Sequence, residues 1–190
     1  MPKLSNSLND IRKTEGWSLF LDRDGVINTR LVDDYVKCWE DFEFLPGVPE
    51  AIKTFNDLFI NIFVVTNQQG IGKGLMSVET LNSIHSRMVD AIIAKGGRID
   101  QIYFCPDLKE SNSLYRKPNV GMGLKARKEF PSVRFRKSMI AGDSIGDMQF
   151  GKKLGMITAL ISDSDELIKK HPGVIDYRFN SLRDLANFII

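Results

Sequence analysis

The chain has 190 residues, 43% hydrophobic and 26% charged, with 26 lysines and arginines against 24 acids and a net charge of +2. It is long enough to bury a sizeable core, so one domain over 1–190 is expected, with 1–16 as an N-terminal extension; the near-balanced charge argues against nucleic acid or an anionic membrane as partner. Cys38 and Cys105 cannot build a disulfide framework, and neither the opening "MPKLSNSLNDIRKTEG" nor any later run has the apolar length of a leader or of a span of about 18 residues, which predicts a cytoplasmic protein, expected to be monomeric.

In chain order, Leu4, Leu8 and Ile11 sit at helical spacing and predict a short helix against the body. Trp17–Leu21 reads as a strand. Val48–Phe59, entered through Pro46-Gly47, reads as a helix with Ile52, Phe55 and Phe59 on one face. Asn61–Val65 is a second strand that ends in Thr66-Asn67. Ser77 caps a long helix lined by Leu81, Ile84, Met88 and Ile92. Ile99–Phe104 makes a third strand, followed by an irregular stretch to Pro118. A helix from about Val120 to Phe130, a strand Ser138–Ala141, a helix after Ser144 and a strand Ile157–Ile161 follow. A strand near Tyr177–Phe179 and a helix opened by Ser181 complete the chain.

Strands alternating with helices predict an α/β, doubly wound, mostly parallel sheet covered on both faces. Right-handed crossovers gather loops at the carboxyl ends of such strands, where ligands bind. The polar residues expected there are Asp22 and Asp24, Thr66 and Asn67, and Gly142 and Asp143, with Arg116 and Lys117 in the irregular stretch.

Each piece has a plain reading by itself. Asp-x-Asp-Gly is often a turn, a lone threonine often a cap, and Ser144 with Asp147 can form a capping box. "FLDRDGVIN" nevertheless aims two carboxylates, with Arg23 between them, out of an apolar run. Like charges that close either sit in a solvated turn or face something positive. Several acids, a hydroxyl and a lysine at one end of one sheet suit phosphoryl transfer. Mg²⁺ would allow Asp22 and Asp24 to stay ionised, one carboxylate could attack phosphorus, and Lys117 and Thr66 could bind the equatorial oxygens.

"DRDGVIN", "TNQ", "RKP" and "GDSIGDM" resemble motifs I to IV of the haloacid dehalogenase-like phosphatases. "FEFLPGV", "VVTNQQGIGKG" and "YFCPD" bring the likeness closer to the branch of the heptose-bisphosphate and histidinol-phosphate phosphatases, over about Trp17 to Leu160. The resemblance implies a Rossmann-like core with a minimal cap. It implies Asp22 as nucleophile, Asp24 as acid and base, and Thr66 and Lys117 as phosphoryl ligands. Mg²⁺ would be held by Asp22, the Asp24 carbonyl and Asp143, with Asp147 behind them. Asn67, Gln68 and Arg116 are expected to bind a small phosphorylated substrate selected by loops Arg30–Tyr35, Asn67–Gly74 and Pro106–Arg116. Heptose 1,7-bisphosphate is the first expectation for that substrate, ahead of histidinol phosphate.

Close relatives carry a zinc loop, with Cys-x-His ahead of Cys-x-Cys; here Asp107 stands where histidine would be and "NSLYRKP" has no cysteine. A structural zinc takes about four sulfur or nitrogen ligands, so none is expected, and packing of Leu108, Leu114 and Tyr115 is expected to order the loop. "QQGIGKG" does not fit the phosphate-loop pattern. His85 and His171 read as structural or solvated, "KARKEFPSVRFRK" as a solvated face and "SDSDE" as an acidic loop. The rival from another class is a receiver-type phospho-acceptor module, which has no need of a second acid two residues after the acceptor.

Overall fold

The computed structural model describes residues 8, 11, 14–163 and 165–190. Leu8 and Ile11 are helical and buried against the body, as their spacing predicts, while Leu4 lies outside the described residues.

Among the described residues, six strands build one sheet: β1 (Ser18–Leu21), β2 (Asn61–Asn67), β3 (Gln101–Cys105), β4 (Ser138–Gly142), β5 (Ile157–Ile161) and β6 (Tyr177–Phe179). All pairings are parallel, in the order β3-β2-β1-β4-β5-β6. Phe20 of β1 stands opposite both Phe63 of β2 and Ile140 of β4, so β1 is the centre from which the two halves wind outward. This is the expected doubly wound α/β architecture.

Alternation along the strands explains the two layers. Leu19, Leu21, Ile62 and Val64 face one way, packed with α1 (Val48–Phe55), α3 (Val78–Ala94) and α7 (Leu182–Ile189). Phe20, Phe63, Val65 and Ile140 face the other way, against α4 (Gly121–Glu129) and α5 (Ile145–Leu154). Both faces are dry, hence the near-continuous apolar runs in the sequence.

The differences from expectation have local causes. Helix α1 stops at Phe55 instead of Phe59, because Arg98 donates to the carbonyls of Asn56 and Phe59 and holds the chain in a turn. Phe59 is still buried, so the apolar spacing of the helix continues past its end. Strand β3 starts two residues late, since the Asp100 carboxylate takes the Ile62 N–H where a ladder bond would lie. Two short helices lie where loops were expected, α2 (Gln69–Gly72) in the glycine-rich stretch and α6 (Glu166–Lys170) after the acidic one. Among the described residues, no helix is long and apolar enough to cross a membrane.

Candidate active site

The carboxyl ends of β1, β2 and β4 open into a cleft of about 690 Å³ lined by Asp22, Asp24, Thr66, Asn67, Arg116, Lys117, Asp143, Ser144 and Asp147. The three expected loops form its walls, contributing Arg30 to Tyr35, Gln69 and Lys73, and Lys109.

Lys117 is the hub. Its side chain is 2% exposed, and Nζ lies 2.8 Å from Asp22 Oδ1, 2.6 Å from Asp147 Oδ1 and 2.6 Å from the Val65 carbonyl. Burial alone would pull its pKa down, but the carboxylates of Asp147 and Asp22 outweigh that and hold it well above the ordinary lysine range. Asn67 fixes the backbone here, accepting from Lys117 N at 3.0 Å and donating to Lys117 O at 3.1 Å.

Asp147 is fully buried and forms the anticipated capping box with Ser144, whose N–H and hydroxyl both donate to Oδ2. Asp22, Asp143 and Asp147 each present an oxygen within 4.8 Å of the others. Burial, then the Asp147 and Asp143 charges, push Asp22 up to about 8 despite Lys117. Asp143 is raised by burial and by Asp147, with Arg30 Nη1 partly offsetting this from 3.0 Å. Three carboxylates this close, two of them raised by burial and by neighbouring negative charge, are short of positive charge, and such a set of hard oxygen ligands fits Mg²⁺. Gly25 lets the trio close. It has φ +84°, and a β-carbon there would overlap the Asp143 carboxylate.

Asp24 is held differently. Its carboxylate accepts from Arg23, from Asn28 Nδ2 at 3.0 Å and from Gln68 Nε2 at 2.9 Å. Burial pushes its pKa up, yet the Arg23 charge and these hydrogen bonds outweigh it and leave the group below the ordinary carboxylate range.

Of the residues expected at a substrate, Arg116 and Asn67 line the cleft and Gln68 does not. Gln68 is 1% exposed, and its amide is spent on Asp24 and on Thr66 Oγ1 at 2.8 Å. Residues i and i+2 share a face, so Thr66 and Gln68 meet, and the Gln68 amide is turned to Asp24 and Thr66 and away from the cleft. Of the three residues expected to order the 106–116 loop by packing, Leu108 is half-buried and lies against Gly72, while Leu114 and Tyr115 are 57% and 45% exposed. Polar contacts add to this, with Cys105 Sγ facing Asp107 and Ser113, Arg116 donating to the Asp107 carbonyl and Asn119 to that of Ser113. Sequence reasoning missed the roles of Asn28, Arg30 and Arg23. For Arg23 a signal existed, a cation placed between two acids.

A family model described as Polynucleotide kinase 3 phosphatase matches residues 19–180. The D-glycero-alpha-D-manno-heptose-1,7-bisphosphate 7-phosphatase of Mycobacterium bovis is 36% identical over 90% of each chain. The D-glycero-beta-D-manno-heptose-1,7-bisphosphate 7-phosphatase of Rhodopseudomonas palustris is 36% identical over 72% of this chain and 78% of its own. Among solved structures, the D,D-heptose 1,7-bisphosphate phosphatase from B. bronchiseptica, complexed with magnesium and phosphate, superposes with a TM-score of 0.83 at 28% identity, covering 91% of this chain and 97% of that one.

Proposed function

The chain belongs to the Polynucleotide kinase 3 phosphatase family of haloacid dehalogenase-like phosphatases, in the heptose-bisphosphate phosphatase branch, and on that premise we propose that it hydrolyses D-glycero-D-manno-heptose 1,7-bisphosphate through an aspartyl-phosphate on Asp22. The observation that carries this reading is the Asp22 carboxylate at the cleft floor, 2.8 Å from Lys117 Nζ and grouped with Asp143 and Asp147. The family label does not bring a polynucleotide substrate with it: relatives matching 90% of the chain are named for a sugar phosphate, and the net charge is only +2.

In this reading Asp22 attacks phosphorus, and its phosphate is later released by water. Lys117 is a fixed cation with three acceptors around it, placed to steady the phosphoryl oxygens as charge spreads over them, with Thr66 beside it. Asp22, Asp143 and the Asp24 carbonyl would hold Mg²⁺, with Asp147 behind them; when bound, the ion supplies positive charge to the carboxylates and to the transferring phosphoryl group. Asp24 starts ionised, the state that takes a proton from the attacking water. The negative phosphoryl group entering beside it raises its pKa, so Asp24 takes up a proton from solvent as substrate binds and gives it to the leaving oxygen in the first half-reaction. That returns it to the ionised state that accepts a proton from the attacking water. Asn67 and Gln68 hold these groups in place, and Arg116 faces the substrate.

The test is phosphate release by the purified protein with Mg²⁺, across heptose 1,7-bisphosphate, sugar monophosphates and histidinol phosphate. The bisphosphate is expected to show the highest kcat/KM, with the 7-phosphate lost. Preference for histidinol phosphate would replace the substrate, and a stable phosphoprotein without turnover would favour a receiver-type module.

A further inference from the structure

The arginine between the two aspartates is buried. The Arg23 side chain is 1% exposed, and a guanidinium taken out of water must have its N–H groups paired. Nη2 donates to Asp24 Oδ1 at 2.9 Å and Oδ2 at 3.0 Å, and Nε to Oδ1 at 3.3 Å. Nη1 turns away from the carboxylate and meets His85 Nε2 at 3.2 Å. Arginine can only donate, so His85 Nε2 is the acceptor and the ring carries its proton on Nδ1.

His85 is well placed to be a fixed point. It lies within the seventeen-residue helix α3, is 5% exposed and meets Phe104 of β3 edge-on, ring centroids 6.1 Å apart at 62°. Burial, and then the Arg23 charge, hold the imidazole down to about 3, so it remains a neutral acceptor at working pH. A chain of contacts thus runs from a rigid helix, through a planar fork, to the carboxylate that must exchange a proton with the leaving group.

We propose that His85 is a positioning residue for the reaction: by accepting from Arg23 Nη1 it fixes the guanidinium fork, and the fork sets where the Asp24 oxygens lie for proton transfer. The proposal rests on the acid–base reading of Asp24 given above. Without the imidazole acceptor, one N–H of a buried cation lacks a partner, the fork can rotate, and Asp24 follows it.

The experiment compares kcat/KM on an alkyl phosphate, whose leaving oxygen needs a proton, with that on p-nitrophenyl phosphate, whose leaving group does not. The ratio is taken within one preparation, so partial loss of folded enzyme cancels. For His85→Leu, the alkyl substrate is expected to lose about 10- to 100-fold and the aryl substrate about 3-fold or less, within the range that positioned acids supply. His85→Gln, whose Oε1 can accept in place of Nε2, restores most of the ratio. His85→Asn, polar but too short to reach, behaves like His85→Leu and serves if that variant does not fold. Equal losses on both substrates, or no rescue by glutamine, overturn the proposal. Asp24→Asn is the control: if it shows no leaving-group dependence, the acid–base reading falls and the proposal falls with it.

Discussion

Asn67 and Lys117, fifty positions apart, exchange two hydrogen bonds through one side-chain amide, which clamps the end of β2 to the loop that delivers the buried lysine. Both ends of the amide are engaged by the backbone of Lys117. Asn67→Ala should therefore act through Lys117. Losing a reciprocal pair in a partly buried place costs about 1–3 kcal/mol, which for a chain of this size lowers the melting temperature by roughly 2–10 °C. kcat should fall with it, and calorimetry beside steady-state kinetics would read both. A rise in KM with kcat and melting unchanged would return Asn67 to direct substrate binding.

Asp22→Asn removes the proposed nucleophile from a crowded group of acids. Turnover should drop by about 10³-fold or more, while the metal-free protein melts no lower, because the repulsion from Asp143 and Asp147 disappears along with the Lys117 ion pair. Retention of a tenth or more of the activity would remove Asp22 as nucleophile.

Asp24→Asn keeps the shape of the side chain but not its proton exchange. Formation and hydrolysis of the phospho-enzyme should both slow, by about 10²- to 10⁴-fold on a sugar phosphate. Rapid-quench measurement of the two half-reactions separates them, and an unchanged rate in both would end the acid–base role.

Gly25→Ala tests the closeness of the trio. The residue sits at φ +84° and an added methyl overlaps Asp143, so backbone strain of about 1–2 kcal/mol adds to displacement of a proposed metal ligand. The Mg²⁺ concentration for half-maximal activity should rise about tenfold, a loss of roughly 1.4 kcal/mol in affinity. An unchanged Mg²⁺ requirement would place Asp143 outside the metal site.

The raised pKa values of Asp22 and Asp143 give a pH dependence of definite sign. Asp22 is lifted from 3.8 to about 8, so between those values the folded metal-free protein holds a proton that the unfolded chain has lost. Its contribution to stability falls as pH rises through that window. Mg²⁺ must displace the proton at low pH and meets free carboxylates at high pH. The melting-temperature gain on adding Mg²⁺ should therefore be larger at pH 8 than at pH 5.5, as thermal scans with and without chelator would show. A gain independent of pH would disconnect these carboxylates from the ion.

Much of this fold and site is legible in the sequence. The apolar runs of β1, β2, β4 and β5 are continuous because both sheet faces are covered, and the polar residues that follow them had to collect at one rim. Ser77, Ser144 and Ser181 accept from the N–H groups that their spacing predicts. What stayed hidden depends on contacts between distant segments. Phe59 keeps helical period although Arg98 has already turned the chain, and Gln68 looks like a cleft residue until Asp24 and Thr66 claim its amide. Polarity alone could not tell that Arg23 points inward toward His85, sixty-two residues away.

The central position of β1 has a consequence for synthesis. Asp22, Thr66 and Lys117 leave the ribosome first, while Asp143 and Asp147 follow β4, the strand that docks on the other flank of β1. A nascent or truncated chain that stops short of β4 carries the proposed nucleophile but not the acids that complete its surroundings. The proposed nucleophile and the acids around it therefore come together only once β4 has docked beside β1.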